Sequence, residues 1–271
     1  MRTRRRPAES EAVRTDHAVA YRPGHGESIG GWQLRERVGR GGNASVWRAV
    51  DSAGNPAALK FPHANAPEWV RHEHRLLARL AHPNVVATRG AVESGECAAL
   101  VIEYLPNGDL VALAGSAARH WLAALGSVLA ALRHMHVRGY AHCDLKARNV
   151  LFGADGGARL IDFAAARPLD APVRRSSATA ECVPAGGVAS ALEVDRFAFA
   201  ALAYELVTGG VPYGAAGQRR PGERPRPAVV PEGPLAPLLA TAVDVLCAGG
   251  RHTGGLSAMA DDIEFAMAAY R

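Results

Sequence analysis

Asp144, Asn149 and Asp162 are the residues of this 271-residue chain whose types and order best suit chemistry. The first two lie in His142-Cys143-Asp144-Leu145-Lys146-Ala147-Arg148-Asn149, and the third follows in Leu160-Ile161-Asp162-Phe163-Ala164. Two carboxylates and an amide converging from a loop and from strand ends suit phosphoryl transfer. One carboxylate orients a hydroxyl and accepts its proton. The other carboxylate and the amide supply the oxygen ligands that Mg²⁺ prefers. The alternative is three unrelated turn residues, because Asp and Asn favour turns.

Two upstream features fit the same chemistry. Gly39-Arg40-Gly41-Gly42-Asn43-Ala44-Ser45-Val46 is a glycine-rich turn, where missing side chains let backbone N–H groups approach phosphate oxygens. Taken alone it is weak, since many hairpin turns contain glycines. Ala57-Ala58-Leu59-Lys60 sets a lysine inside an apolar strand, where its ammonium needs a partner. Glu73, on the following helix, is the best candidate. An ion pair between them would hold the ammonium toward phosphates. The alternative is a surface pair worth less than about 1 kcal/mol.

The elements that must position these groups follow from pattern. Strand-like runs occupy 32–38, 44–51, 57–61, 85–92 and 98–103, with a helix over 67–80. After Pro106-Asn107-Gly108 the chain becomes mainly helical, with helices over 121–136, 191–207, 235–246 and 256–269 and short strands at 150–152 and 159–161. The expected architecture is α+β: a small β-rich lobe with one main helix (30–104) joined across a cleft to a larger α-helical lobe (105–271). Residues 1–29 are basic and lack apolar periodicity, and they read as a mobile tail.

Composition narrows the class. Apolar residues make up 48%, enough for a real core, and the formal net charge of +5 is too modest to indicate a nucleic-acid binder. The four cysteines form no CxxC pair, which argues against a disulfide framework or structural zinc and fits a reducing cytoplasm. No run of about 18 uncharged apolar residues suggests a membrane span. The arginines of Met1–Pro7 precede no apolar segment, unlike a secretory signal.

Taken in order, these motifs resemble the eukaryotic-type (Hanks-type) serine/threonine protein kinases of bacteria, over about residues 30–271. His82-Pro83-Asn84, the hinge-like Val101-Ile102-Glu103-Tyr104 and the helix opened by Asp195 complete the set. The resemblance implies ATP and Mg²⁺, with Mn²⁺ as the substitute ion, and protein substrates bearing Ser or Thr. Lys60 would contact the α- and β-phosphates and pair with Glu73. Asp144 would be the base, and Lys146 would steady the transferring phosphoryl group. Asn149 and Asp162 would hold the metal. Val38, Gly39, Gly41, Gly42, Val46, Ala58, Ile102, Glu103 and Leu105 would surround the nucleotide, with Ile102 as gatekeeper. An upstream regulator protein would supply the input. Serine/threonine choice rests on Lys146 and on Thr179 near the substrate hydroxyl. Phosphosite candidates are Ser10, Thr15, Ser28, Ser176, Ser177 and Thr179.

Four positions depart from the resemblance. Ala44 replaces the third loop glycine and would add a Cβ near the phosphates. Cys143 replaces the arginine that receives an activation-loop phosphate, so the usual activation mechanism is lost; its thiol reads as buried and inert. Ala164 replaces a glycine and would be strained if that site needs a positive φ. Val183-Pro184-Ala185 stands where the family has Ala-Pro-Glu, so the anchoring glutamate is missing, and Arg251 is only a rough match for its partner. Joint loss of both would avoid a stranded buried charge. Two other functions stay open: a nucleotide-binding scaffold without turnover, and a kinase of sugars or aminoglycosides.

Overall fold

The computed structural model describes residues 23–63, 66–94, 97–113, 115–175, 179–226 and 232–270. The tail over 1–22 and the phosphosite candidates Ser10, Thr15, Ser176 and Ser177 lie outside them.

The first lobe is a six-stranded antiparallel sheet. Its strands are β1 (Ser28–Ile29), β2 (Trp32–Arg40), β3 (Ala44–Val50), β4 (Pro56–Pro62), β5 (Thr88–Ser94) and β6 (Cys97–Glu103), in spatial order β1-β2-β3-β4-β6-β5. One face buries Ile29, Leu34, Ala49, Leu59, Phe61 and Val101. Helix α1 (Pro67–Arg79) starts with proline, whose fixed φ suits a first turn, and buries Val70, Glu73, Leu76 and Leu77. The sheet begins ahead of the expected Gly30 boundary. Ile29 is 4% exposed and pairs with Trp32, while Leu34 donates to Glu27 O and accepts from Gly26 N. Composition misses this because the apolar signal is a single isoleucine among polar neighbours. The fifth strand also starts later than expected: Val86 N donates to Leu160 O, and Val85 forms a lone bridge to Leu160, so both tie the lobes together.

The second lobe is built on helices α2 (Ala118–Val137), α3 (Ala191–Thr208), α4 (Ala236–Cys247) and α5 (Gly255–Ala269). Helix α2 buries nine side chains, from Trp121 to Met135, as a helix apolar nearly all round must. Helix α3 opens on a reciprocal capping box between Ser190 and Glu193 and closes on Gly209 at φ 74°, where left-handed backbone favours glycine. Short antiparallel pairs edge this core: β7 (Tyr140–Ala141) with β10 (Arg167–Pro168), β8 (Val150–Phe152) with β9 (Ala158–Leu160), and β11 (Pro172–Arg174) with β12 (Val188–Ser190). No helix among the described residues is long and apolar enough to cross a membrane.

Candidate active site

The β-rich lobe contributes a buried cation. Lys60 lies on the central strand β4, opposite Val46 on one side and Leu100 on the other. Its ammonium donates to Glu73 Oε1 and Oε2 at 2.8 and 3.1 Å and to Asp162 Oδ1 at 2.7 Å, and it lies 4.8 Å from the Trp69 ring centre. Burial opposes the charge on Lys60. The carboxylates of Glu73 and Asp162 overcome that penalty and hold its pKa above the ordinary value. Glu73 also accepts from Phe163 N at 3.2 Å, so one carboxylate links α1, β4 and the segment after β9.

The helical lobe supplies the second half. Asp144 Oδ2 accepts from Lys146 Nζ at 2.7 Å and from Asn149 Nδ2 at 3.0 Å, and its Oδ1 accepts from Thr179 Oγ1 at 2.8 Å. Asn149 Nδ2 also donates to Asp144 O at 2.7 Å. Both amide hydrogens are thereby used, which leaves Oδ1 as the ligand atom. Burial opposes ionisation of Asp162, but Lys60, His142 and Lys146 together hold its pKa below the usual carboxylate range. Within the helical lobe, the Asp144 loop is tied to the Asp162 segment. Ile161 N donates to Asn149 O at 2.9 Å, and His142 Nε2 bonds Ile161 O at 3.0 Å. His142 is fully buried, and its ring meets Phe163 edge-on at 5.0 Å.

A carboxylate in the core aims this loop. Asp195, on α3, is 0% exposed. It accepts from His142 N at 2.8 Å, from Cys143 N at 2.7 Å and from His136 Nε2 at 2.8 Å. These bonds hold Cys143 at φ 64°, a left-handed conformation uncommon outside glycine. The second such residue among the described ones is Asp162, at φ 65°. Ala164 is not among them, so the strain expected there falls instead on the metal-ligand candidate.

The residues expected around a nucleotide lie on β2, β3, β4 and β6 and in the segments beside them. Val38 and Gly39 lie near the end of β2, with Gly39 paired to Val46. A Cβ on Gly41 would meet only Ala44 O at 3.8 Å, and one on Gly42 nothing, so within the protein the space over these two glycines is open. Ala44 accepts from Gly41 N at 2.9 Å through its main-chain oxygen. It is buried at the start of β3, paired with Pro62. Ala58 faces Ile102 across β4 and β6, and Glu103 and Leu105 lead into the second lobe. Sequence reasoning missed Trp69, whose only signal was its place one helical turn before Glu73. It also missed the apolar pocket beside Lys146 that Glu181 and Glu205 line.

Cys143 lies in an apolar cluster with Ala141, Val173, Val183, Ala191 and Val194. Burial, then the Asp195 charge, pushes its pKa up to about 12. Cys182 donates to Leu145 O at 3.1 Å and is also pushed up to about 12, chiefly by burial. At pH 8 so few thiolates remain that both should alkylate at least about a thousandfold more slowly than an exposed cysteine. Peptide mass spectrometry after timed iodoacetamide treatment checks this; labelling at a free-thiol rate would refute the buried assignment.

Residues 32–224 match the family model for the protein kinase domain, so the chain belongs to the protein kinase family. It is 33% identical over 240 residues to the serine/threonine-protein kinase PkaA of Streptomyces coelicolor, covering 73% of this chain and 44% of that protein. It is also 29% identical over 202 residues to mitogen-activated protein kinase kinase kinase 18 of Arabidopsis thaliana, covering 67% of this chain and 60% of that one. The chain thus spans about half the length of these relatives.

Proposed function

We propose that this protein transfers the γ-phosphoryl group of ATP to serine or threonine hydroxyls of proteins. The observation that carries the reading is the engagement of Asp144, whose Oδ1 already accepts a hydrogen bond from the Thr179 hydroxyl while Lys146 donates to its other oxygen. A substrate hydroxyl oriented by this carboxylate bonds to the γ-phosphorus, the bond to ADP breaks, and the hydroxyl proton passes to Asp144. Lys60, held by Glu73 under the Trp69 ring, stabilises the α- and β-phosphates. Gly39, Gly41 and Gly42 leave room for phosphate oxygens near backbone, and Val38, Val46, Ala58 and Leu105 give the adenine apolar faces. Glu103 and Leu105 offer backbone groups to its edge beside the gatekeeper Ile102.

Asp162 and Asn149 fit a divalent ion by donor type, since both offer hard oxygens and the Asn149 hydrogens are spent on Asp144. Magnesium, or manganese in its place, would neutralise developing phosphate charge there. The missing cation at Cys143 supports activity without loop phosphorylation. We place the protein in the reducing cytoplasm, under a regulator protein, without nucleic acid as partner.

Labelled ATP, Mg²⁺ and casein test the reading with wild type and Asp162→Asn. Wild type should label casein, before and after phosphatase treatment alike, and the variant should lose at least about a hundredfold in rate. Thermal stabilisation by ATP without turnover would identify a nucleotide-binding scaffold instead. Label on a sugar or aminoglycoside but not on protein would identify a small-molecule kinase.

A further inference from the structure

The segment between β11 and β12 carries Thr179 to Asp144, and one residue of the large lobe holds it at both ends. Gln218 lies in a Gly-, Pro- and Arg-rich loop, yet it is 0% exposed. Its Oε1 accepts from Ala185 N at 2.9 Å. Its Nε2 donates to Leu246 O at 3.2 Å, Tyr213 Oη at 3.3 Å and Glu223 O at 3.4 Å. Its main-chain oxygen accepts from Arg175 Nη1, while Arg175 Nη2 donates to Ala216 O at 2.6 Å. Gly217, between those carbonyls, is at φ 63°, and a Cβ there would stand 2.1 Å from Ala180 O. Only glycine lets the segment lie this close.

Ala185 stands where the resembled kinase family has its anchoring glutamate. Arg251, the rough match for that glutamate's partner, is 67% exposed and reaches Glu193 at 3.8 Å. The ion pair is therefore absent from both sides, and a neutral amide occupies the buried polar position beside Ala185. A neutral group escapes the desolvation cost of buried charge while satisfying its neighbours' hydrogen bonds.

We propose that Gln218 is the positioning residue that docks residues 172–175 and 179–190, setting Thr179 against Asp144 and shaping the platform for the protein substrate. This rests on the phosphotransfer reading. The amide acts through the segment and touches no nucleotide, so its loss separates protein recognition from ATP use.

Gln218→Met keeps the side-chain length and removes every side-chain hydrogen bond. Arg175→Met cuts the fork from the other end at a partly exposed side chain, where folding is not at stake. In the full chain, both variants should keep the KM for Mg-ATP within about twofold of wild type. Both should lose at least tenfold in kcat/KM for casein. Thermolysin cleavage within 172–190, located by mass spectrometry, should quicken at least tenfold. Wild-type casein kinetics and cleavage in both variants would overturn the proposal, as would parallel loss of ATP and casein binding. Should Gln218→Met not fold, Arg175→Met alone decides. A wild type that labels no protein counts against phosphotransfer itself, and the cleavage rates then still decide the anchoring.

Discussion

Asp144→Asn should lower phosphoryl transfer by about 10²- to 10⁴-fold, the usual worth of a positioned proton acceptor. The substitution is nearly isosteric, so Lys60, Glu73 and Asp162 keep their contacts in the other half of the site. It removes the negative charge that the Thr179 hydroxyl and the Lys146 ammonium donate to. ATP binding should stay within about threefold, because the proposed role of Asp144 is toward the acceptor hydroxyl and not toward the phosphates. Single-turnover transfer from labelled ATP, with nucleotide binding read separately by thermal shift, checks both halves. A variant that retains a tenth of the wild-type rate would show that the proton goes elsewhere.

Asp195→Ala carries the largest stability effect. It leaves His142 N and Cys143 N as buried donors without acceptors and removes the partner of His136. Each stranded donor costs about 1–3 kcal/mol, and the left-handed Cys143 loses the bond that holds it there. A total of about 3–5 kcal/mol is expected, comparable to breaking a buried charged network. For a domain of this size that lowers Tm by about 10 °C. Transfer activity should fall with it, even in the folded fraction, because the Asp144 loop loses its anchor. Calorimetry with side-by-side activity decides the matter; a Tm change under about 3 °C would mean that the loop holds its shape without Asp195.

The helices and the central strands were legible because their signals are local. The 3.6-residue period of α1, the largely apolar helical runs of α2 and α3, and the apolar runs of β4 and β6 each arise within one element. The order of Lys60, Glu73, Asp144, Asn149 and Asp162 was legible for a different reason. Phosphoryl transfer needs particular donor types, and few side chains supply them. The short strands β8 and β9 were legible, but β1, β11 and β12 were not, because two or three residues with little apolar content carry no period and take their conformation from a pairing partner. Gln218 was missed because a polar residue in a polar loop reads as solvated.

Residue type and local spacing, by themselves, determined which groups this protein could bring to a phosphate and which stretches would be helix or strand. Tertiary structure alone decided that Lys60 meets Asp162 across 102 positions, that the backbone strain lies at Cys143 and Asp162 but not at Ala164, and that the buried Gln218 amide meets Ala185 N. Those outcomes depend on desolvation and on the closing of long loops, and both are set only when distant surfaces pack together.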